Sequence, residues 1–435
     1  MPTLSSAEIL PLDATALSAA LRAGQTTATA IAEAYLDRIA AREAEVRAFE
    51  YLNPEQVLRA AHALDRAGAT GPLAGVPLGV KDVIATHDMP TGYGNASYAG
   101  SRTVCDAPCV AFARGAQALV LGKTVTTEFA MASPGKTRNP HDPARTPGGS
   151  SSGSCAAVGA GMALLAFGTQ TAGSVIRPAS YCGVVGYKPT IGLINPAEVK
   201  VLAQSLDTLG LLTRSVRDAA LAAAVLGRRP ALAEVAPAEQ LRVGLFRPAP
   251  FEKAGPGTLA ALAAAEKALR DAGVRVVALE TPEWFAEVHE AHHRVMGFEV
   301  AAALAYERTS ELVSLTGVTR DFLAAKAAVT AAEYDAALAW RDARAQAMAA
   351  LMADVDVLLV PAAADVAPEG LESTGDPAFN TPWTLFQMPA VTLPALRHGG
   401  LPVGVQLVGR RGADALTLAA ALRAEAALGY GWTAA

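Results

Sequence analysis

Segments with helical spacing of apolar residues alternate with short apolar segments typical of strands, and this alternation most constrains the fold. Residues 74–86 are rich in valine and bounded by glycine and proline, which is typical of a strand. Residues 108–117 have the pattern of a helix that leads into a strand at 119–121. The alanine-rich segment 154–161 is predicted to be a buried helix, and 164–169 a buried strand. Such alternation indicates an α/β fold.

The two ends of the chain show the same kinds of pattern. Helical spacing covers residues 7–22 and 27–47, and strand patterns return at 355–363 and in the segments "PAVTLPAL" and "PVGVQLVG". Between them, the region around residues 258–350 is mostly helical and more charged. Because we find no internal repeat and no low-complexity linker, we expect the strands at both ends to share one sheet. The sequence therefore predicts one domain over residues 1–435, with a peripheral helical region at 258–350.

Charge and composition argue against several classes of protein. The net charge is −5 at pH 7, which is unfavourable for nucleic-acid binding. The first residues lack the features of a signal peptide, and the longest membrane-like stretch, 155–168, is shorter than the about 20 residues that cross a bilayer. The four cysteines are not spaced like a zinc site, and we expect them to be buried and reduced. These observations predict a cytoplasmic protein without a nucleic-acid or membrane partner.

A loop of small residues, "TPGGSSSGSCAAVGAG" at 146–161, holds four serines with no neighbouring histidine. Its letters "GSSSG" match the G-x-S-x-G pattern of a nucleophile elbow centred on Ser151. An elbow needs a strand before it, whereas the preceding segment "KTRNPHDPARTPG" is polar and rich in proline. We therefore prefer a chance match, with a Ser151 elbow as the alternative.

A second short match is "HEAHH" at residues 289–293, which fits the H-E-x-x-H pattern of zinc hydrolases. In that hypothesis His289 and His293 bind the metal from one helix face, and Glu290 is the base. The flanking segments have the pattern of an ordinary amphipathic helix, and no clear third ligand follows. We prefer a polar helix surface, and we expect neither a metal nor another cofactor.

The segment "GTQTAGSVIRPASYCGVVGYKPT", residues 168–190, is a third candidate site. An apolar strand leads into small residues and then into Ser174. Thr171, Ala172 and Gly173 have little side chain, so their backbone N–H groups could approach a reacting carbonyl and form an oxyanion hole. The alternative is a glycine-rich turn packed on a sheet.

Taken together, Lys81 after an apolar strand, the "PGGSSSGS" loop and "TAGSVIRPASYCGVVGYKP" closely resemble the amidase signature family, as does "SLDTLGLLTRSVRDAA" from Ser205. The resemblance extends from "AIAEAYLDRI" to "GLPVGVQLVG", which is nearly the whole chain. It implies a single large α/β domain whose central mixed β-sheet is covered on both faces by helices. It also implies a Ser–Ser–Lys triad, with Ser174 as nucleophile, Ser150 as bridging serine and Lys81 as base. The bond between Gly149 and Ser150 is cis in that family.

The remaining serines of the loop, Ser151, Ser152 and Ser154, match no catalytic position of the family. We expect them to satisfy backbone groups or to cap the helix that starts there. Lys81 can act as a base only if its ammonium loses a proton near neutral pH, and burial lowers the pKa of a lysine. Strand alternation predicts that the neighbouring Asp82 points to the opposite face.

Within the family, the chain is most similar to stand-alone malonamidase-type amidases, which share the "GTQTxGSVIRPAxYCG" form and a later "STGDPxxN…WTL" stretch. In those enzymes the arginine that matches Arg177 holds a substrate carboxylate. The alternative role is an arginine that ties the loop after Ser174 to neighbouring carbonyls. The resemblance implies hydrolysis of a small-molecule carboxylic amide through an acyl-enzyme, with malonamate-like half-amides as candidate substrates.

Two other functions stay open. A broad-specificity hydrolase of aryl amides, carbamates or esters would use the same triad, since one fold serves many substrates. A non-catalytic, amidotransferase-like subunit would keep the fold within a complex. Gln170 argues against this, because many relatives, including the tRNA-dependent amidotransferase subunits, carry aspartate there. The expected partners are a small-molecule amide and, in a homodimer, a second copy of the chain.

Overall fold

One sheet of eleven strands runs through the part of the chain that the computed structural model describes, residues 4–429, 431, 432, 434 and 435. The strands are β1 (Phe49–Leu52), β2 (Pro77–Lys81), β3 (Leu119–Thr124), β4 (Leu165–Gln170), β5 (Val185–Lys188), β6 (Thr208–Thr213), β7 (Arg242–Phe246), β8 (Arg275–Leu279), β9 (Val357–Pro361), β10 (Ala390–His398) and β11 (Leu401–Gly409). Their spatial order is β1-β3-β2-β4-β6-β5-β10-β11-β9-β7-β8. Strands from both ends of the chain therefore share one sheet, as predicted.

The sheet is mixed. β2 pairs in parallel with β3 and β4, and β7 pairs in parallel with β8 and β9. The strands from β4 through β6, β5, β10 and β11 to β9 pair antiparallel, as do β1 and β3. β2, β3, β4, β6 and β9 are buried along their whole length, which requires cover on both faces. This confirms the predicted α/β fold.

Helices flank the sheet. They are α1 (Ser6–Ile9), α2 (Ala14–Arg22), α3 (Ala28–Val46), α4 (Pro54–Ala67), α5 (Pro108–Gly115), α6 (Ser152–Gly159), α7 (Ile176–Cys182), α8 (Val216–Leu226), α9 (Pro256–Asp271), α10 (Val288–Ala303), α11 (Ala305–Thr309), α12 (Gly317–Lys326), α13 (Ala331–Leu351), α14 (Thr381–Leu385) and α15 (Asp414–Leu428). All residues of α6 are buried. A Cβ at Gly153 would lie 2.2 Å from the Ala48 carbonyl oxygen and 2.4 Å from Val125 N, so only glycine permits this close packing.

Two local predictions need correction. The helix predicted over residues 7–22 is two helices, because Pro11 has no N–H to continue the first and Asp13 caps the second by accepting a hydrogen bond from Ala16 N at 2.7 Å. The four cysteines are free thiols, but Cys105 is exposed in the loop before α5 rather than buried.

The chain between β8 and β9 is built from the four helices α10–α13. β8 itself lies within the region predicted to be mostly helical and pairs with β7 at one edge of the sheet. The assignment of residues 258–350 as a peripheral region of a single domain spanning 1–435 stays a prediction. None of the helices in the described part of the chain combines the length and apolar character that crossing a membrane requires.

Candidate active site

Two neighbouring strands bring the predicted site residues to one edge of the sheet. β2 and β4 are parallel and pair over residues 78–80 and 165–167, so their carboxyl ends lie at the same edge. Lys81 is the last residue of β2, and Ser174 follows the end of β4 in the turn before α7. The loop that precedes α6 brings Ser150 to the same place.

Lys81 is fully buried, with 0% of its surface exposed. Its Nζ lies 2.7 Å from Ser150 Oγ and 2.7 Å from Thr169 Oγ1. Burial lowers the pKa of Lys81 from 10.5 to about 7. Asp82 points away from Lys81, as predicted, and lies 3.3 Å from the Nζ of Lys123. An amine that is largely neutral above pH 7 therefore faces the Ser150 hydroxyl.

The loop that carries Ser150 has the predicted organisation. The Gly149–Ser150 peptide bond is cis, as the resemblance implied. The other three serines bond to backbone groups: Ser151 Oγ with Thr169 N at 3.2 Å and Thr169 O at 3.3 Å, Ser152 Oγ with Val125 O at 3.3 Å, and Ser154 Oγ with Phe167 O at 2.7 Å. The expectation that these three satisfy backbone groups is confirmed.

Ser174 is half-buried in a turn whose backbone carbonyls and N–H groups have different surroundings. The carbonyl oxygens accept hydrogen bonds: Thr171 O from His292 Nε2 at 2.9 Å, Ala172 O from Thr384 Oγ1 at 2.8 Å, and Gly173 O from Arg177 N at 3.0 Å. The N–H groups of residues 171–174 have no acceptor in the described part of the chain. Such free donors can stabilise an oxyanion. Ser174 Oγ also has no partner there, so the structure joins Ser150 to Lys81 but not Ser174 to Ser150.

Gln170 holds the two ends of this turn, a role that sequence reasoning missed. Its Oε1 accepts hydrogen bonds from the N–H groups of Val175 at 2.9 Å and Ile176 at 3.1 Å, where α7 begins. Its Nε2 donates to Thr384 Oγ1 at 3.0 Å. An aspartate here would lack the donor and have a shorter side chain, so Gln170 is suited to the neutral Thr384 hydroxyl.

Thr171 is held from two further sides by residues that the sequence analysis did not assign. Thr171 Oγ1 donates to Asp207 Oδ1 at 2.6 Å, and burial raises the pKa of Asp207 to about 6. Burial lowers the pKa of His292 to about 4, so the ring is neutral at pH 7 and donates Nε2–H to Thr171 O. Asp207 and His292 both lie in segments quoted above, but nothing local in the sequence indicates their partner.

Gly173 has no room for a side chain. A Cβ at this position would lie 2.4 Å from Asn380 Oδ1 and 3.0 Å from Arg177 Nη1. Both atoms are buried and have no hydrogen-bond partner in the described residues. The backbone of the turn therefore rests directly against two polar groups.

We expect Gly173→Ala to lower kcat by about 10²-fold, because the added methyl group must push the turn away from its position by a fraction of an ångström or more. The overpacking should also cost about 1–3 kcal/mol of unfolding free energy. Kinetics and urea denaturation would measure both. Gly115→Ala is the matched control, because nothing lies within 4 Å of a Cβ there. A Gly173→Ala enzyme with normal kcat would contradict this packing argument.

Arg177 is buried and bonds to the backbone of two loops. Its Nε donates to Thr374 O at 2.8 Å, and its Nη2 donates to Gly149 O at 2.8 Å and to Thr374 Oγ1 at 3.1 Å. Burial lowers the pKa of Arg177. The bond to Gly149 O holds the residue directly before Ser150. These contacts favour the second role considered above, in which the arginine ties the loops together, over binding of a substrate carboxylate.

The residues of "HEAHH" do not converge on one point. Their partners are separate: His289 Nε2 with Ala249 O at 3.1 Å, Glu290 with Arg294 at 2.8 Å, and His293 Nδ1 with Lys326 Nζ at 2.6 Å. None of them belongs to a cluster of metal-ligating side chains within the described ranges. In this structure the helix face serves packing and hydrogen bonding.

A cavity of about 460 Å³ opens beside the Ser174 turn. Ala172 of the turn forms part of its wall, together with the histidines of α10 and Lys326 from α12. This volume lies within the range of roughly 300–1,000 Å³ that is typical of small-molecule sites.

Comparisons with known proteins agree with this architecture. The profile of the family described as Amidase matches residues 30–418. The A-type subunit of the glutamyl-tRNA(Gln) amidotransferase from Renibacterium salmoninarum is 33% identical over 479 residues, which cover 94% of this chain and 92% of that protein. The crystal structure of an amidase has a TM-score of 0.86 and 31% identity, and covers 95% of this chain and 99% of its own. A structure of 6-aminohexanoate cyclic dimer hydrolase complexed with substrate has a TM-score of 0.85 and 28% identity, and covers 97% of this chain and 98% of its own.

The fold and these structural neighbours define the class of protein, an enzyme that hydrolyses amide C–N bonds. Within that class, the chain belongs to the amidase family.

Proposed function

We propose that the chain hydrolyses a small-molecule carboxylic amide to an acid and ammonia or an amine, through an acyl-enzyme on Ser174. The observation that carries this proposal is the Lys81–Ser150 pair, with Nζ 2.7 Å from Oγ and the lysine fully buried. A lysine in that environment can hold a proton and release it near neutral pH. Family membership supplies the match of Ser174 to the nucleophile position.

In the first half of the reaction, Ser174 Oγ attacks the amide carbonyl carbon. Its proton passes to Ser150 Oγ, which gives its own proton to neutral Lys81 Nζ. The carbonyl oxygen becomes an oxyanion, for which the free N–H groups of residues 171–174 are the available donors. Thr169 Oγ1 accepts a hydrogen bond from Lys81 Nζ and so orients the amine toward Ser150.

Collapse of the tetrahedral intermediate breaks the C–N bond. The proton returns from Lys81 through Ser150 to the departing nitrogen, and the acyl group stays on Ser174 Oγ as an ester. A water molecule then attacks the ester carbon and gives one proton to the same relay. The ester C–O bond breaks, Ser174 Oγ takes the proton back, and the acid leaves.

The substrate is open among related amides. A malonamidase-type enzyme would prefer half-amides of small diacids, whereas a broad-specificity hydrolase would also accept aryl amides, carbamates or esters. The identity of about one third to glutamyl-tRNA(Gln) amidotransferase subunits favours a second candidate function, in which the chain works with other subunits. Gln170 no longer weighs strongly against it, since its contacts are structural. A cytoplasmic homodimer stays a prediction.

The test is a hydrolysis screen of the purified chain alone. We expect release of ammonia or amine from small primary and aryl amides, and none from the Ser174→Ala variant. A chain that cleaves no amide alone, but releases ammonia from glutamine once mixed with candidate partner subunits, would favour the amidotransferase alternative. An aryl ester cleaved far faster than the matched amide would favour the broad hydrolase.

Arg177→Gln should lower kcat/KM about equally for acidic and neutral amides, by roughly 10–100-fold, because both depend on the loops that Arg177 holds. Loss of charged hydrogen bonds to Gly149 and Thr374 should cost about 1.5–3 kcal/mol of unfolding free energy. Measuring malonamate and propionamide on both proteins decides between the two roles. A decrease confined to malonamate would restore carboxylate binding by Arg177.

A further inference from the structure

Lys326 is a buried cation without an anionic partner. Only 6% of it is exposed, although it lies at the end of α12. Its Nζ lies 2.6 Å from His293 Nδ1 and 5.2 Å from the centre of the Phe322 ring. No carboxylate of the described residues lies within ion-pair distance of it, and Glu290 pairs instead with Arg294. Buried charges are normally paired, so this ammonium group has an unused binding capacity.

The cavity beside the Ser174 turn contains a second lysine that provides a comparison. Lys253 lies 2.6 Å from Asp376 and is about half exposed, so its charge is already neutralised. Lys326 differs in both respects. Burial lowers the pKa of Lys326 to about 8, which still leaves most of it protonated at pH 7. It is therefore the unpaired positive charge in the wall of this cavity, among the residues that the structure describes.

The α10 side of the cavity connects Lys326 to the reaction centre. His293 contacts Lys326, and the adjacent His292 donates to Thr171 O in the turn that carries Ser174. Gly297 leaves space for the lysine stem, since a Cβ there would lie 3.4 Å from Lys326 Cδ. The wall of one cavity thus includes both Ala172, two residues from Ser174, and Lys326.

We infer that this cavity binds substrates whose amide reacts at Ser174 while a carboxylate at the far end of the same molecule pairs with Lys326. This deepens the proposed amide hydrolysis and rests on it. An ammonium group is a point charge that suits a carboxylate, and the pair would be shielded from water. The carboxylate must be separated from the amide by several bonds, because the cavity lies between them. Chain length therefore matters as well as charge.

The first experiment uses the wild-type chain at pH 7. Its substrates are the monoamides of linear diacids from malonic to suberic acid, each compared with the neutral alkanamide of the same carbon number. We expect kcat/KM to favour the acid by about ten- to a hundred-fold at an intermediate chain length, which is the value of one charge-assisted contact. Equal or better turnover of the neutral amide at every length overturns the inference. In that case, neutral turnover that requires Ser174 still upholds the proposed function.

The second experiment identifies the cation. In Lys326→Met, the ratio of acidic to neutral kcat/KM should fall by about the same ten- to a hundred-fold. Lys253→Met, the matched control from the same cavity wall, should keep the wild-type ratio. A ratio that survives in Lys326→Met, or falls equally in both variants, overturns the assignment to Lys326.

A binding measurement decides the matter even if no amide is turned over or a variant is unstable. Calorimetry with the Ser174→Ala chain should detect tighter binding of the optimal monoamide than of its neutral counterpart. Absence of that difference overturns the inference independently of catalysis. Lys326→Arg gives a further check, because a preference retained with another cation supports charge recognition.

Discussion

Ser174→Ala is expected to lower kcat for amide hydrolysis by roughly 10⁴–10⁶-fold, because the variant has no atom that can form the acyl-enzyme. The fold should be retained, since Ser174 Oγ makes no hydrogen bond in the described part of the chain. Steady-state ammonia release and a thermal denaturation curve would measure the two effects. A fluorophosphonate probe, followed by peptide mapping, should label Ser174 in the wild type and nothing in the variant.

Ser151→Ala is the control for this experiment, because Ser151 is the serine of the rejected elbow hypothesis. Its hydroxyl bonds to the Thr169 backbone, so the variant should lose about 1 kcal/mol of stability and keep its labelling at Ser174. An adduct found on Ser151 or Ser152 of the wild type would overturn the assignment of the nucleophile.

Lys81→Met is expected to lower kcat/KM by about 10³–10⁴-fold, because the variant has no base to accept the Ser150 proton. Lys81→Arg should be almost as inactive, since a guanidinium does not deprotonate near neutral pH. In the wild type, kcat/KM should rise with pH through about 7 and then reach a plateau. The sign follows from the lowered pKa of Lys81, because the neutral, proton-accepting form predominates above that value.

The pH profile alone does not identify the lysine. Burial also lowers the pKa of Lys188 to about 7, but Lys188 Nζ donates to the carbonyl oxygens of Pro189 and Met388, away from the serines. Lys188→Met should therefore keep a kinetic pKa near 7 in its folded fraction. If Lys81→Arg retained the wild-type rate, or if the profile moved only in Lys188→Met, Lys81 would be a structural residue.

Much of the fold was predictable because its signals are local. The apolar runs that became β2, β4 and β9 are uninterrupted, as expected for strands buried on both faces. The break between α1 and α2 was missed, although Pro11 marks it, because the apolar spacing continues across the proline. The strand order was not predictable, since it depends on which distant segments pair.

The site divides in the same way. Small residues around Ser174 and an apolar strand ending in Lys81 are visible in the sequence, and the family resemblance assigned them roles. The contacts of Arg177 were not visible, because they depend on the Gly149 and Thr374 backbones, 28 and 197 residues away in the chain. The resemblance emphasised substrate binding for this residue, and the structure shows it bonded to the protein.

The sequence by itself determined which segments would be buried strands and helices, and it placed a lysine at the end of one such strand. Periodicity and residue size carry that information, since they act between near neighbours. Only the tertiary structure decided what these residues touch. Lys81 meets Ser150 because β2 and β4 pair in parallel and the loop before α6 crosses their ends. Lys326 lines the same cavity as Ala172 because α10 and α12 pack beside that edge, which no local pattern specifies.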